Sequence, residues 1–142
     1  MRLKNDVKIS VILTAKNYSG IVDCVKSLLN QDIKDRYEVI VVYYSRDDDY
    51  KELEKLPITL IKKDCNLGTA RQLCLEKAKG DILVVIDADC IAPKNYLRRI
   101  LEAFNSGDVY VGTYVRTWER DFISQVVGSI YEATYNMHRK WL

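Results

Sequence analysis

The sequence predicts an α/β protein of three layers, α/β/α, in which helices cover both faces of a mostly parallel sheet. Two observations carry this reading. Short runs rich in Val and Ile alternate along the chain with segments of helical periodicity. The runs are also almost continuously apolar, as strands buried on both faces must be. Length agrees, since 142 residues with 48% hydrophobic content suffice for one core. The expected organisation is one domain over 1–142, with a core at 7–115 and a C-terminal helical segment at 116–142.

The elements follow in order. KISVILT at 8–14 reads as the first strand. The helix after it carries Ile21, Cys24, Val25, Leu28 and Leu29 on one face, with Ser19 as the expected N-cap. EVIVVYY at 38–44 is the second strand, and Asp47 to Leu56 is read as a short polar helix. ITLIKK at 58–63 is the third strand. A second helix is expected to start near Gly68, turn Ala70, Leu73, Cys74 and Ala78 inward, and end at Gly80. DILVVIDA at 81–88 is the fourth strand. The third helix is expected to open at Pro93, bury Tyr96, Leu97, Ile100, Leu101 and Phe104, and stop at Gly107. DVYVGTYV at 108–115 is read as a fifth strand. A last amphipathic helix over 121–140 aligns Ile123, Val126, Val127, Ile130 and Thr134.

Composition excludes several classes. With 22 basic against 20 acidic side chains the net charge is +2, far from the basic balance of a nucleic-acid-binding surface. The charged N-terminus lacks a signal-peptide core, and the longest aliphatic run, ILVVI, is too short to span a bilayer, so a soluble, cytoplasmic chain is expected. Cys24, Cys65, Cys74 and Cys90 show no C-x-x-C spacing and read as reduced thiols. Neither G-x-G-x-x-G nor G-x-x-x-x-G-K-[ST] occurs, which argues against a dinucleotide-dependent oxidoreductase and a P-loop nucleotidase.

The fourth strand ends in Asp87 and Asp89. On an extended chain, residues two apart project to the same side. The pair repels itself, and becomes useful when Mg²⁺ or Mn²⁺ lies between it and a phosphate-rich ligand, because these ions prefer oxygen donors. The plain alternative is that one aspartate caps the next helix while the other faces water. Upstream, NLGTARQL at 66–73 sets Asn66, Gly68 and Arg71 at a helix entry, where free N–H groups favour an anion. Arg71 adds a guanidinium that could clamp a phosphate or a base edge, or simply be a surface arginine.

Taken in order, VKISVILTAKN, EVIVVYYSRDD, NLGTARQLCLEKAKGDILVVIDADC and APKNYLRRILEAF resemble the N-terminal half of the family 2 glycosyltransferases of the Rossmann-like GT-A fold, over residues 7 to about 115. The resemblance implies a truncated form of that fold and a transferase using a nucleotide-diphosphate sugar, a UDP- or GDP-sugar, held between the first and fourth strands. It implies that Thr14, Ala15 and Asn17 line the nucleoside pocket and that Asn66 and Arg71 contact the base or diphosphate. Asp87 would hold the ribose or a metal-bound water, and Asp89 would ligate Mg²⁺ or Mn²⁺.

Two departures stand out. Where the family has an acidic residue that recognises the base, this chain has Tyr43 and Tyr44, then Ser45 and Arg46 before Asp47 to Asp49. A tyrosine, Tyr43, could stack on the base while one of these aspartates takes the hydrogen bond, or the two could be a strand end and a solvated turn. No acid matches the family's general base, which leaves the catalytic residue unassigned; Glu119, Asp121 and Glu132 read as solvated helix residues. A donor-binding domain without transfer activity is the alternative, and a flavodoxin-like or nucleotidyltransferase-type domain is the third reading. The last helix, with Phe122, Tyr131, Tyr135, His138 and Trp141, is expected to pack in the core, or else on a second copy or a membrane surface.

Overall fold

The structure, a computed structural model, describes residues 7–46, 50–107 and 111–113 and, beyond these, Ile123, Gln125, Val126 and Ser129. Among the described residues the chain runs β1 (Ile9–Lys16), α1 (Ile21–Leu29), β2 (Tyr37–Tyr44), a 3-10 turn (Leu53–Lys55), β3 (Thr59–Lys62), α2 (Leu67–Lys77), β4 (Ile82–Val85) and α3 (Tyr96–Asn105). The strands form one parallel sheet in the order β3-β2-β1-β4. β1 pairs with β2 from Ile9 opposite Tyr37 to Lys16 opposite Tyr44, and with β4 from Ile9 opposite Ile82.

Alternation along the strands sorts their side chains onto two faces. Ile9, Val11 and Leu13 of β1, with Val39, Val41 and Tyr43 of β2, pack against Ile21, Cys24, Val25 and Leu28 of α1 and Leu97, Ile100 and Leu101 of α3. Burying each such aliphatic side chain is worth about 1.5–3 kcal/mol. The intervening Ile12, Ile40 and Val42 meet Ala70 and Cys74 of α2 on the opposite face. This gives the three expected layers. On the α2 side β4 is open, with Leu83 41% and Val85 51% exposed; the expectation of strands covered on both faces does not extend to it.

At the amino ends of the strands, Ser10 is fully buried and donates to Glu38 Oε1 at 2.7 Å. Its Oγ accepts from Gly80 N at 2.8 Å and Lys79 N at 3.2 Å, and Glu38 Oε1 accepts from Lys79 N at 2.7 Å. This cluster ties the α2–β4 connection to β1 and β2. It also explains Gly80, whose place in the sequence suggested a helix end. The helix already stops at Lys77, and a Cβ on Gly80 would lie 2.5 Å from Ser10 N.

Other expectations need correction. β4 ends at Val85, not 88, because Cys90 N donates to Asp87 O at 3.1 Å and closes a turn. Asp87 therefore opens that turn and Asp89 lies within it, instead of the two sharing one face of a strand. Neither caps α3, which starts at Tyr96 after Asn95, not at Pro93. The cap residue of α1 is Gly20 with no side-chain cap, so Ser19 does not have that role. Of the polar helix expected over 47–56 only the Leu53–Lys55 turn is helical, while residues 47–49 lie outside the description. Gly107 does stop α3, with φ +103°.

By compactness the chain divides into two units, Met1–Val109 and Tyr110–Leu142. Of the fifth strand expected at 108–115 only 111–113 are described, without regular structure. Of the helix expected at 121–140, Ile123, Gln125, Val126 and Ser129 are helical, with Ser129 Oγ donating to Gln125 O at 2.9 Å. Phe122, Val127, Ile130, Tyr131, Thr134, Tyr135, Met137, His138 and Trp141 lie outside the described residues. No described helix is long and apolar enough to cross a membrane.

Candidate functional site

The order β3-β2-β1-β4 reverses direction at β1, and in open parallel sheets ligands bind beyond the carboxyl ends of the strands at such a point. Two features meet there. On the α2 side, a cleft of about 390 Å³ is lined by Thr14, Ala15 and Lys16 from β1, Val42 and Tyr44 from β2, Lys63, Cys65 and Asn66 from the β3–α2 loop, and Leu67 and Ala70 from α2. On the other side of β1, the turn after β4 carries Asp87 and Asp89, both exposed.

Thr14, Ala15 and Asn66 thus stand in the cleft. Tyr43 does not. It is 2% exposed and meets Tyr50 edge-on in the opposite core, ring centroids 5.6 Å apart. The cleft tyrosine is Tyr44, with Lys16 Nζ 5.1 Å from its ring centroid. Lys16 also pairs with Asp64. Sequence reading passed over Lys16, Lys63 and Cys65; the alternation that buries Tyr43 was the available signal for Tyr44.

Asn17 has φ +50°, a left-handed conformation that asparagine tolerates better than most residues. Its N–H donates to Tyr44 O at 2.8 Å, and its Oδ1 accepts from Arg46 N at 2.9 Å. Asn17 therefore joins the exits of β1 and β2 and does not line the cleft. Asn66 caps α2, its Oδ1 accepting from Thr69 N at 2.9 Å. That bond leaves the side-chain NH₂ as its remaining donor at the cleft wall.

Arg71 follows Ala70 of the cleft wall and reaches toward the other half of the site. Its Nη2 lies 4.0 Å from Asp87 Oδ1. The loop bearing both aspartates is fixed from beneath by α1 and by Gln31 just after it. Cys24 Sγ donates to Asp87 O at 3.6 Å, Ser27 Oγ accepts from Ala92 N at 3.0 Å, and Gln31 Nε2 donates to Pro93 O at 3.0 Å. Gln31 Oε1 then accepts from Leu97 N at 3.0 Å, serving α3 as the cap its own Asn95 does not provide. Burial, with help from Cys90, Asp89 and Asp87, pushes the Cys24 thiol up to about 12. Burial likewise raises Cys90, with Asp89 and Asp87 adding to the shift.

No group of three His, Cys, Asp or Glu side chains able to hold a metal occurs among the described residues. Glu119, Asp121 and Glu132 lie outside them.

Comparison with known proteins agrees with this architecture. The family described as Glycosyl transferase family 2 matches residues 10–141. The undecaprenyl-phosphate 4-deoxy-4-formamido-L-arabinose transferase of Aeromonas hydrophila is 25% identical over 150 residues, covering 94% of this chain and 46% of that protein. The chain thus spans about half the length of this curated relative. The mannosyltransferase PcManGT of Pyrobaculum calidifontis, solved with GDP-Man and Mn²⁺, superposes with a TM-score of 0.65 at 25% identity over 77% of this chain and 35% of that one. TarS 1–349 of S. aureus, solved with UDP, gives a TM-score of 0.63 at 23% identity over 80% of this chain and 40% of that one, a likeness of fold. The sheet and its helices are those of the GT-A fold, and the chain belongs to glycosyl transferase family 2.

Proposed function

We propose that this chain holds a nucleotide-diphosphate sugar for inverting transfer to an acceptor hydroxyl, with the nucleoside in the α2-side cleft and a divalent cation at Asp87 and Asp89. The observation that carries the reading is Arg71, which links cleft and aspartates across the carboxyl end of β1. A volume of about 390 Å³ is in the range of small-molecule sites. Thr14, Ala15, Tyr44 and Asn66 contact the nucleoside in this reading. Tyr44 takes the stacking role that the sequence assigned to Tyr43, and Asn17 holds the cleft rim in shape. Arg71 meets the diphosphate.

The donor chemistry suits Mg²⁺ or Mn²⁺. Two carboxylates offer hard oxygens at an exposed rim, and with no third protein ligand among the described residues the rest of the shell falls to diphosphate oxygens and water. When bound, the ion offsets the charge that develops on the leaving nucleoside diphosphate. The chain contributes by fixing where that charge forms. The α1 contacts hold the aspartate loop, and the capped start of α2 aims N–H groups at the same region. Ligand positions fixed before the reaction need no rearrangement during it.

Similar proteins are solved with UDP and with GDP-Man, and another is an undecaprenyl-phosphate 4-deoxy-4-formamido-L-arabinose transferase, so the base is left to experiment. Calorimetric titration of UDP and of GDP, each with Mn²⁺ and then with excess EDTA, tests the reading. Binding of one nucleotide that requires the metal is expected. No binding of either under any condition would overturn the site. Release of sugar from the matching donor separates a transferase from a domain that only binds.

A further inference from the structure

We propose that Arg71 pairs with Asp87 before ligand binds and gives it up when a diphosphate arrives, so that cation and nucleotide bind cooperatively. The inference rests on the donor-site reading above and assigns it an internal coupling. The two residues come from separate supports. Arg71 is on α2, whose start is fixed by Asn66, and Asp87 is on the turn held by Cys24 and Ser27 of α1 and by Gln31 just after it. With both backbones held, the adjustable part is the side-chain pair, Nη2 to Oδ1 at 4.0 Å.

The two carboxylates are not equivalent in this state. Asp87 faces a guanidinium, whereas Asp89 makes no ion pair among the described residues and accepts only from Cys90 Sγ, at 3.7 Å. A cation entering alone finds one available carboxylate and must draw the other away from Arg71. The pair is weak enough to break, since its side chains are 46% and 77% exposed and water screens them. A diphosphate offers the guanidinium several anionic oxygens in the paired geometry it prefers. Once Arg71 turns to the phosphate, both aspartates face the cation. Because the coupling is a free energy between two sites, the cation strengthens nucleotide binding by the same factor.

The test is a titration of Mn²⁺, read by the electron paramagnetic resonance of the free ion, into wild type, Arg71→Ala and Lys94→Ala, without nucleotide and with UDP or GDP. Lys94 is an exposed cation on the loop after Asp89 and makes no ion pair among the described residues, so its removal reports the effect of charge alone. Arg71→Ala is expected to bind Mn²⁺ alone about two- to fivefold more tightly than wild type, the range of an exposed ion pair. The gain in Mn²⁺ affinity on adding nucleotide should shrink by a similar factor, and Lys94→Ala should show neither change. An Arg71→Ala chain whose Mn²⁺ affinity is unchanged or lower, or is matched by Lys94→Ala, overturns the coupling while leaving the donor site standing. Absence of Mn²⁺ binding in every protein with either nucleotide overturns the donor site, and the coupling with it.

Discussion

Tyr43 and Tyr44 are neighbours in sequence and lie on opposite faces of the sheet, the first packed edge-on against Tyr50 and the second lining the cleft with Lys16 over its ring. Strand alternation imposes this difference, so replacing either tyrosine should have distinct consequences. Tyr43→Ala removes a buried aromatic and is expected to cost about 3–5 kcal/mol of stability, measured by urea unfolding. Tyr44→Ala should cost about 1 kcal/mol or less, yet weaken UDP or GDP binding by about 0.5–1.5 kcal/mol, the value of an aromatic contact. Equal loss of binding in a folded Tyr43→Ala chain would remove Tyr44 from its role.

That contrast shows what was legible beforehand. The apolar runs placed β2 to within one residue and β1 to within two, because parallel central strands must be apolar on both faces. α1 and α3 were equally plain, since Ile21, Cys24, Val25 and Leu28, and Leu97, Ile100 and Leu101, repeat at helical spacing and are all buried. Asn66, Arg71 and Asp87 were read as one site, and the structure brings the latter two within 4.0 Å. What escaped was set by tertiary contact. A hydrophobic pattern cannot show that β4 stops at Val85, because the turn at Asp87 is made by one backbone bond. Nor can it show that Gly80 is needed for the approach of β1, or that Gln31, 66 residues before Leu97, caps α3.

Gln31 leads to the second prediction. Its amide donates to Ser27 O and Pro93 O and accepts from Leu97 N, so it connects α1 to the far end of the aspartate loop. Gln31→Ala should cost about 1–2 kcal/mol, the usual penalty for a lost helix cap. It should also lower nucleotide affinity in the presence of Mn²⁺ while leaving any metal-free binding as it was. Calorimetry with and without EDTA reads the split, and equal weakening in both would mean that the loop does not position the aspartates.

The Ser10 cluster lies at the opposite end of the strands from the cleft, which makes it a control for stability without binding. Ser10→Ala leaves the N–H of half-buried Gly80 without its acceptor and should cost about 1–3 kcal/mol. Gly80→Ala places a Cβ 2.5 Å from Ser10 N and 2.7 Å from Ile9 C, both backbone atoms that cannot move aside alone. A cost of about 1–3 kcal/mol or more follows from such overpacking. Chains of either variant that remain folded should bind nucleotide with wild-type affinity; reduced affinity would mean that the β1–β2 register reaches the cleft.

Cys24 gives the last prediction, in which pH is the variable. Its thiol is fully buried under Asp87, and burial first, then Cys90 and the two aspartates, raises it from 9.0 to about 12. Below pH 9 both folded and unfolded chains keep the proton, and Cys24 imposes no pH dependence. Above it the unfolded chain releases a proton that the folded chain retains, so stability falls progressively as pH climbs from about 9 toward about 12. Cys74, also raised by burial, adds to the same slope. Cys24→Ala should therefore flatten part of the alkaline decline in thermal midpoint. Alkylation gives an independent reading, because the thiolate is the reactive form. At pH 8, half-buried Cys65 should be modified first, Cys90 more slowly, and buried Cys24 and Cys74 only on unfolding. Rapid native-state labelling of Cys24, located by peptide mass mapping, would show that the aspartate loop opens away from α1 and is not held as the hydrogen bonds require.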